Sequence, residues 1–245
     1  MVRICFLLLL FIITFSFSAA AMEPFETDVI KTSAGDLHIT FVGHGSLMFT
    51  FNTKIIHVDP FTKVADYAKL PRADVILITH EHHDHLDLNA LEQIRTEKTK
   101  VMLTAACSKQ VKNGMIMKNG DVQTVSGLKI EAIPAYNLVH KRDNGQPFHG
   151  KGAGNGYIVT FGDKRVYVGG DTENIPEMKS LRKIDCAFLP MNLPYTMTPE
   201  MVADAAKAFR PKILYPYHFG NTDTSKLLNL LQDQKEIEVR IRNMK

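Results

Sequence analysis

The chain has 245 residues, of which 45% are hydrophobic, 22% charged and 9% aromatic. This composition is that of a globular protein and excludes disordered, collagen-like and coiled-coil classes. The 29 basic and 26 acidic residues leave a net charge of only +3, without the clustered basic patch of a nucleic-acid-binding protein, so no nucleic-acid partner is predicted.

The first twenty-one residues have the pattern of a secretory signal. Arg3 gives a positive start, Ile4 to Phe17 is almost wholly apolar, and Ala19 to Ala21 offers small residues for cleavage. An apolar run of about fourteen residues is shorter than the roughly 17 to 25 that a membrane-spanning helix needs. We therefore predict a cleaved signal peptide at residues 1–21, a mature domain at residues 22–245, no stable membrane span, and a periplasmic or secreted protein.

Short strands come first in the predicted mature chain, and strands then alternate with helices. The predicted strands are Leu37 to Val42, Leu47 to Phe51, Lys54 to Val58, Asp74 to Thr79, Val101 to Leu103, Val122 to Val125, Leu128 to Ile133, Tyr157 to Phe161, Arg165 to Val168, Asp185 to Pro190, Lys212 to Tyr217 and Glu236 to Ile241. The predicted helices are Asp87 to Arg95, Pro199 to Phe209 and Thr224 to Gln232. This order predicts an α/β fold of four layers, an αββα sandwich with two sheets face to face and helices outside.

Two cysteines belong to the predicted mature chain, Cys107 and Cys186. Neither has the spacing of a structural zinc site. Export would allow them to pair, but Cys186 lies in a short apolar run of strand type, and free cysteine is usually a buried residue. We expect both to be unpaired.

Four of the ten histidines lie within six residues, in the segment Thr79-His80-Glu81-His82-His83-Asp84-His85-Leu86-Asp87. The segment follows an apolar strand and precedes a helix, which is where open α/β sheets place ligands. His80 and His82, two apart on extended chain, point to the same side and can reach one ion. Asp84 and His85 can face a second ion. Imidazole and carboxylate donors without cysteine favour zinc or a similar metal in a hydrolytic site.

The order Thr-His-x-His-x-Asp-His-x-Asp resembles the signature of the metallo-β-lactamase superfamily of metal hydrolases. Three further pieces are similar and stand in the same order: Asp59 after the opening strands, the turn Gly170-Asp171-Thr172, and His218 after a strand. The resemblance covers roughly Leu37 to Gly220. It implies a metallo-β-lactamase-like sandwich of two mixed sheets.

Three segments narrow the resemblance to one branch of the superfamily. Gly43 to Ser46, Pro190 to Met197 and Tyr217 to Gly220 look like the branch that includes ascorbate-6-phosphate lactonase and N-acyl phosphatidylethanolamine phospholipase D. The true β-lactamases use a cysteine at the second metal, and no cysteine stands at the matching positions of this chain.

The resemblance implies a site for two divalent metal ions, with zinc as the first choice and Mn or Fe as alternatives. The implied ligands are His80 and His82 for the first ion, Asp84, His85 and His218 for the second, and Asp171 as a bridge between the two. Asp84 and Asp171 are the predicted catalytic residues, and a metal-bound hydroxide is the predicted nucleophile.

One position departs from the superfamily pattern. The third histidine of the first metal usually follows a strand such as Leu128 to Pro134, but Asn137 occupies that place here. We favour His149 as its replacement, because neighbouring glycines let the backbone bend close to an ion and relatives carry a similar His-x-Lys-Gly segment. His140, Asn137, a water or an unfilled position remain alternatives.

Four residues receive supporting roles. Asp59 is expected to accept an imidazole N–H and so orient a ligand. His44 is expected to reach the substrate or support the metal ligands, with a hydrogen-bonded turn as the alternative. Lys151 and Tyr195 are candidates for holding an anionic group of the substrate.

These residues predict an exported hydrolase that cleaves an ester, lactone or phosphodiester bond of a small molecule. Because the metals activate the water, the motif does not select among these bonds. One alternative is a non-catalytic exported protein that binds a metal or ligand on the same fold. Another is an iron-dependent oxidoreductase.

Overall fold

A computed structural model describes residues 25–244 of the chain. The predicted signal peptide at residues 1–21 lies outside the described residues. The strands are β1 Thr27–Thr32, β2 Gly35–Gly43, β3 Ser46–Phe51, β4 Lys54–Val58, β5 Val75–Leu77, β6 Lys100–Leu103, β7 Met115–Ile116, β8 Val122–Val125, β9 Leu128–Ala135, β10 Gly154–Phe161, β11 Lys164–Val168, β12 Cys186–Pro190, β13 Ile213–Tyr217 and β14 Glu238–Val239. The helices are α1 Leu88–Ile94, α2 Pro176–Lys179, α3 Pro199–Phe209 and α4 Thr224–Leu231, with 3-10 turns at Tyr67–Lys69 and Cys107–Lys109.

The strands form two mixed sheets of seven strands each. In the first sheet, β1 to β4 pair antiparallel and β4 to β7 pair parallel, in chain order. The second sheet repeats this plan, with antiparallel pairs from β8 to β11 and parallel pairs from β11 to β14. The predicted α/β sandwich of two mixed sheets is confirmed.

The largest apolar cluster includes the inner faces of the two sheets. Phe41 and Phe49 of the first sheet meet Phe188 of the second, with ring centroids 6.2 and 6.1 Å apart. Phe188 in turn stacks on Tyr215 of the neighbouring strand. The aromatic side chains therefore hold the sheets face to face.

A second, smaller cluster lies on the outer face of the first sheet. Side chains alternate along a strand, so Ile76 and Ile78 pack there with Leu91 of α1, while Leu77 belongs to the cluster between the sheets. Each of these four side chains is at least 97% buried. The sheet is thus covered by a helix on one face and by the other sheet on the opposite face.

Two of the predicted helices begin after a side chain that caps their first turn. The Asp87 carboxylate accepts the backbone N–H of Asn89 and Ala90 at the start of α1. The Thr198 hydroxyl accepts the N–H of Met201 at the start of α3, where Pro199 occupies the first helical position. Asp87 thereby ends the histidine-rich segment and fixes where the helix begins.

The sequence patterns miss three elements and misplace several ends. They do not predict β1, because its residues alternate only between half-buried and exposed, nor the very short β7 and α2. The last strand is shorter than predicted, Glu238–Val239, and β10 begins earlier, at Gly154. The cysteines are buried and unpaired, as predicted. Within residues 25–244, no helix is both long and apolar enough to cross a bilayer.

Candidate metal centre

The predicted ligands come together at one edge of the sandwich, where strands from both sheets end. Each ligand lies in the connection that follows a strand. His80, His82, Asp84 and His85 follow β5, His149 lies in the loop between β9 and β10, Asp171 follows β11, and His218 follows β13. Because this edge carries the carboxyl ends of the parallel strands, residues up to 138 positions apart in the chain become neighbours.

His80, His82 and His149 form the first set of nitrogen donors. Nε2 of His80 lies 3.0 Å from Nδ1 of His82, and Nε2 of His149 lies 3.3 Å from the same Nδ1. These three residues are one of the groups whose donor atoms could hold a metal ion. The structure therefore brings His149, and not His140, to the other two histidines.

Asp84, His85 and His218 form the second set. Nε2 of His85 and Nε2 of His218 are 3.1 Å apart, and Oδ2 of Asp84 lies 3.7 and 3.5 Å from them, respectively. His218 has a left-handed backbone with φ of 45°. A strained backbone at a non-glycine residue is typical of functional sites, where surrounding contacts hold it in place.

Asp171 lies between the two sets. Its Oδ2 is 3.3 Å from Nε2 of His149 on one side, and its Oδ1 is 3.5 Å from Nε2 of His85 on the other. The residue before it, Gly170, has φ of +63°, and a Cβ there would lie 2.9 Å from the carbonyl oxygen of Asn155. Glycine at this turn is required both by the backbone and by the lack of space.

Hydrogen bonds on the far side of two imidazoles fix which ring nitrogen faces the site. The Asp59 carboxylate is fully buried and accepts the Nδ1–H of His85, 2.8 Å away. It also accepts the hydroxyl of Thr79, so the Thr79 oxygen is free to accept the Nδ1–H of His80 at 3.0 Å. In both rings Nε2 is thereby turned toward the centre, where it can bind a metal ion in place of a proton.

Asn137 fixes the orientation of the His149 ring, although Asn137 does not itself belong to either set of predicted metal ligands. Its side-chain oxygen lies 2.7 Å from Nδ1 of His149 and 2.9 Å from the backbone N–H of the same residue. Its side-chain N–H groups donate to Glu173 and to the carbonyl of Tyr195. All four bonding positions of the Asn137 amide are thus used: two hold His149, and two fix the amide itself.

Glu173 is a buried carboxylate that sequence reasoning missed. It accepts the backbone N–H groups of Leu138, Val139 and His140, each at 2.7 Å. Burial opposes its ionisation, but these bonds and the Asn137 amide hold the pKa of Glu173 below its ordinary value. Nδ1 of His140 lies 2.9 Å from Glu173, so His140 is held away from the donor sets. The only signal in the sequence was the position of an acidic residue two places after Asp171.

Burial keeps two imidazoles of the first set, those of His80 and His149, neutral. It lowers the pKa of His80 well below its ordinary value, and the neighbouring His85 lowers it further. Burial likewise lowers the pKa of His149 to about 4. A neutral imidazole has a lone pair to offer, so these two histidines are ready to bind a metal at neutral pH.

The carboxylates are held in their ionised form. Burial opposes ionisation of Asp171, but the imidazoles of His218 and His85 hold its pKa well below the ordinary value. Burial also opposes ionisation of Asp84, but the hydrogen bonds of His218 and His44 and the nearby His85 together hold its pKa well below the ordinary value. Burial alone would lower the pKa of His85, but Asp171 and two other carboxylates raise it to about 9. The centre therefore concentrates negative charge that a cation can balance.

His44 is placed against the second set. Its Nε2 lies 3.0 Å from Oδ2 of Asp84, and its ring centroid lies 3.9 Å from that of His218. The next residue, Gly45, lies close to two of the predicted ligands: a Cβ there would lie 3.0 Å from His85 and 3.2 Å from His218. Of the alternatives that the sequence left open, the structure places His44 in support of a predicted metal ligand.

A cavity of about 360 Å³ opens in front of the donor sets. Its lining is His82, His83, Asp84, Arg142, Phe148, His149, Asp171, Asn192, Tyr195 and His218. Tyr195 is therefore in the cavity, as expected for a substrate-binding residue. Lys151 is not in the lining: its ammonium pairs with Glu177 at 3.1 Å and lies over the ring of Tyr136. Arg142, Phe148 and Asn192 are lining residues that sequence reasoning missed.

The donor atoms and their surroundings fit divalent ions. Asp171 Oδ1 is buried and has no hydrogen-bond partner among the described residues. A buried oxygen in this state is costly unless a cation or other partner reaches it. Pairs of imidazole nitrogens within 3.0 to 3.3 Å of one another also point their donors at common positions. The donors are nitrogen and oxygen only, which suits zinc, manganese or iron.

Comparison with known proteins defines the family. Residues 38–218 match the family described as the beta-lactamase superfamily domain. A UPF0173 metal-dependent hydrolase of Koribacter versatilis is 31% identical over 199 residues, which cover 75% of this chain and 84% of that protein. The chain therefore belongs to the beta-lactamase superfamily, as one of its metal-dependent hydrolases.

Solved structures agree with this assignment. The crystal structure of a candidate metal-dependent hydrolase from Parabacteroides distasonis is similar to this chain with a TM-score of 0.86 and 49% sequence identity. The match covers 90% of this chain and 100% of that one. A metallo hydrolase from Ignicoccus hospitalis has a TM-score of 0.70 at 23% identity, over 85% of this chain and 96% of that one, and so shows the fold alone. The superfamily predicted from the motifs is confirmed. The narrower branch is not confirmed by these relatives and stays a prediction.

Proposed function

We propose that this protein is an exported hydrolase that uses two divalent ions, zinc in the first place, to cleave an ester, lactone or phosphodiester bond of a small molecule. The observation that carries the proposal is the position of Asp171. One of its oxygens faces His149 at 3.3 Å and the other faces His85 at 3.5 Å. A buried carboxylate between two donor sets is suited to bridge two ions.

The chemistry that two bound ions would supply is activation of a water molecule near neutral pH and stabilisation of negative charge on the substrate oxygen. The side chains of this protein hold the ligands in one arrangement before the reaction. Asp59 accepts the Nδ1–H of His85, and Asn137 accepts that of His149. His44 donates from Nε2 to Asp84, since a carboxylate can only accept. Fixed ligands reduce the reorganisation needed in the transition state.

The cavity supports a small substrate. Its volume of about 360 Å³ is at the lower end of the range of roughly 300 to 1,000 Å³ that is typical of small-molecule sites. Phe148 and Tyr195 provide an aromatic wall, with ring centroids 5.0 Å apart. A cavity of this size with an aromatic wall suits a small molecule.

The test is hydrolysis of a chromogenic ester and a chromogenic phosphodiester by protein loaded with zinc or manganese. We expect Asp84→Ala and Asp171→Ala to abolish turnover, with losses of at least about 1,000-fold, while the circular dichroism spectrum stays that of the native protein. Asp233→Ala removes an exposed carboxylate elsewhere and should retain full activity. Full activity in Asp84→Ala or Asp171→Ala would refute the two-metal site. Absence of turnover in the loaded native protein with every substrate would favour the non-catalytic alternative.

Export is proposed on the basis of residues 1–21 alone. If the segment is a cleaved signal, protein recovered from the producing cell should lack about twenty residues at its N-terminus, as measured by intact mass. An unprocessed chain in the cytosol would contradict this part of the proposal.

A further inference from the structure

Arg142 occupies the wall of the cavity on the loop between β9 and β10. Of the described residues that line the cavity, it alone is a lysine or arginine. The other cation that the sequence suggested, Lys151, is outside the lining and already paired with Glu177. Arg142 is therefore the positive side chain that a molecule bound at the donor sets would meet.

The backbone around Arg142 is held in a small hairpin. Its N–H donates to the carbonyl of Gln146, and its own carbonyl accepts from Gly145. Lys141 and Pro147 form a β-bridge just outside this turn. The hairpin fixes where the Arg142 side chain leaves the backbone, although the side chain itself is exposed.

The guanidinium of Arg142 is positioned but not neutralised. It lies over the ring of Phe148, 5.2 Å from the centroid, and Nη2 donates to the Phe148 carbonyl at 3.2 Å. Within residues 25–244 this is its one side-chain hydrogen bond, and no carboxylate pairs with it. A guanidinium has five N–H donors in a planar fork, so several remain for a ligand.

Phe148 connects Arg142 to the donor sets, because it contacts Arg142 and is the neighbour of His149 in the chain. It directly precedes His149, and its ring packs against that of Tyr195. An extended small molecule would place its reacting group at the donors, its carbon chain along Phe148 and Tyr195, and its far end at Arg142. A carboxylate or phosphate at that end would accept two parallel N–H bonds.

We propose that Arg142 selects substrates that carry a carboxylate or phosphate group remote from the bond that is cleaved. This inference rests on the proposed hydrolase function and adds the substrate class. It replaces Lys151 by Arg142 as the residue that holds the anionic group.

The test compares two 4-nitrophenyl esters that share the same glutaryl chain and differ in the charge at its far end. Mono-4-nitrophenyl glutarate carries a free carboxylate, and 4-nitrophenyl methyl glutarate is its neutral counterpart. We expect the metal-loaded native protein to prefer the anionic ester by about 10-fold or more in kcat/KM. Arg142→Gln should lower kcat/KM for the anionic ester by about 10- to 100-fold, mainly through KM, and change the neutral ester less than about 2-fold.

Three matched variants complete the comparison. Lys141→Gln removes one positive charge from the same hairpin but not from the cavity lining, so it should leave the preference intact. Lys151→Gln should also leave it intact. Arg142→Lys should retain only part of the preference, because an ammonium cannot form the two parallel bonds. Equal losses on both esters in Arg142→Gln, or loss of the preference in Lys151→Gln instead, would overturn the proposal.

A binding measurement separates this inference from the proposed function. Calorimetric titration of glutarate into the metal-loaded native protein and Arg142→Gln needs no turnover. A Kd at least about 10-fold weaker in the variant would support the anion site, even if neither ester were hydrolysed and the hydrolase proposal failed. An equal Kd in the two proteins would overturn the role of Arg142.

Discussion

Asn137 shows how a residue that donates nothing to the centre can control it. Its amide oxygen receives the Nδ1–H and the backbone N–H of His149. We expect Asn137→Ala to weaken metal binding at the first set by about 10- to 100-fold, the usual effect of removing a group that orients a metal ligand. Zinc titration in competition with a chromogenic chelator measures this.

The control for Asn137→Ala is Asn144→Ala, in the same loop. Asn144 is exposed, and among residues 25–244 its side chain accepts one hydrogen bond, from the N–H of Gln146, so its removal should leave zinc affinity unchanged. Native affinity in Asn137→Ala would show that His149 needs no such support.

At the scale of single residues, predictability depends on sequence distance. The donors of Thr79 to Asp87 could be assigned because their spacing alone sets which side they face. The choice between His149 and His140 could not be derived in this way. It depends on Glu173, which is 33 residues away in the sequence and accepts a hydrogen bond from the backbone N–H of His140. The pair between Lys151 and Glu177, 26 residues away, is likewise invisible in the sequence, so Lys151 is predicted to hold an anionic group of the substrate although it is already paired.

At the scale of elements, a charged cluster joins the start of the described chain to its end. Asp28 of β1 in the first sheet accepts hydrogen bonds from Arg240 and Arg242 beyond β14 at 3.1 and 2.8 Å, and from the hydroxyl of Tyr215 in β13 at 2.6 Å. Its carboxylate is 12% exposed. These bonds tie an edge strand of one sheet to the second sheet.

Asp28→Asn tests this link. We expect it to lower the free energy of unfolding at pH 7 by about 1–2 kcal/mol, measured by urea denaturation, since two arginines lose their charged partner but keep some contact with solvent. Asp36→Asn is the matched control. It breaks the exposed pair with Lys31 and should cost about 0.5 kcal/mol or less.

The pH dependence of the Asp28 effect has a defined sign. Burial opposes ionisation, but Tyr215, Arg242 and Arg240 hold the pKa of Asp28 below its ordinary value. The stabilisation is therefore complete above the unfolded pKa, about 4, and is lost as the pH falls through the lower folded value. The difference between the native protein and Asp28→Asn should shrink at acid pH. A difference that grows with acidity would contradict the assignment.

Strands with a continuous buried run could be predicted from the sequence, whereas β1 could not. The inner strands β5 and β12 of the two parallel regions are buried along their whole length, and the apolar pattern of the sequence reveals them. In β1 no residue is fully buried. Its place in the sheet depends on pairing with β2 and on the Asp28 cluster, which joins residues more than 200 positions apart.

At the scale of the whole molecule, the packing of the two sheets brings the predicted metal ligands together. His80, His82, Asp84 and His85 come from the first sheet, whereas His149, Asp171 and His218 come from the second. Bound ions would therefore join the two sheets at their common edge. The same arrangement explains why the order of four short motifs identified the family, while individual residues that line the cavity, such as Arg142 and Phe148, had to be seen in three dimensions.

We propose that this edge of the sandwich holds two metal ions and that His149 completes the first set of ligands. The most direct measurement is metal content per chain, by elemental analysis, of the purified native protein, His149→Ala and the control His140→Ala. We predict two ions in the native protein, two in His140→Ala, and one or fewer in His149→Ala. Two ions in His149→Ala would remove His149 from the metal ligands, and a native protein without metal would contradict the two-metal centre itself.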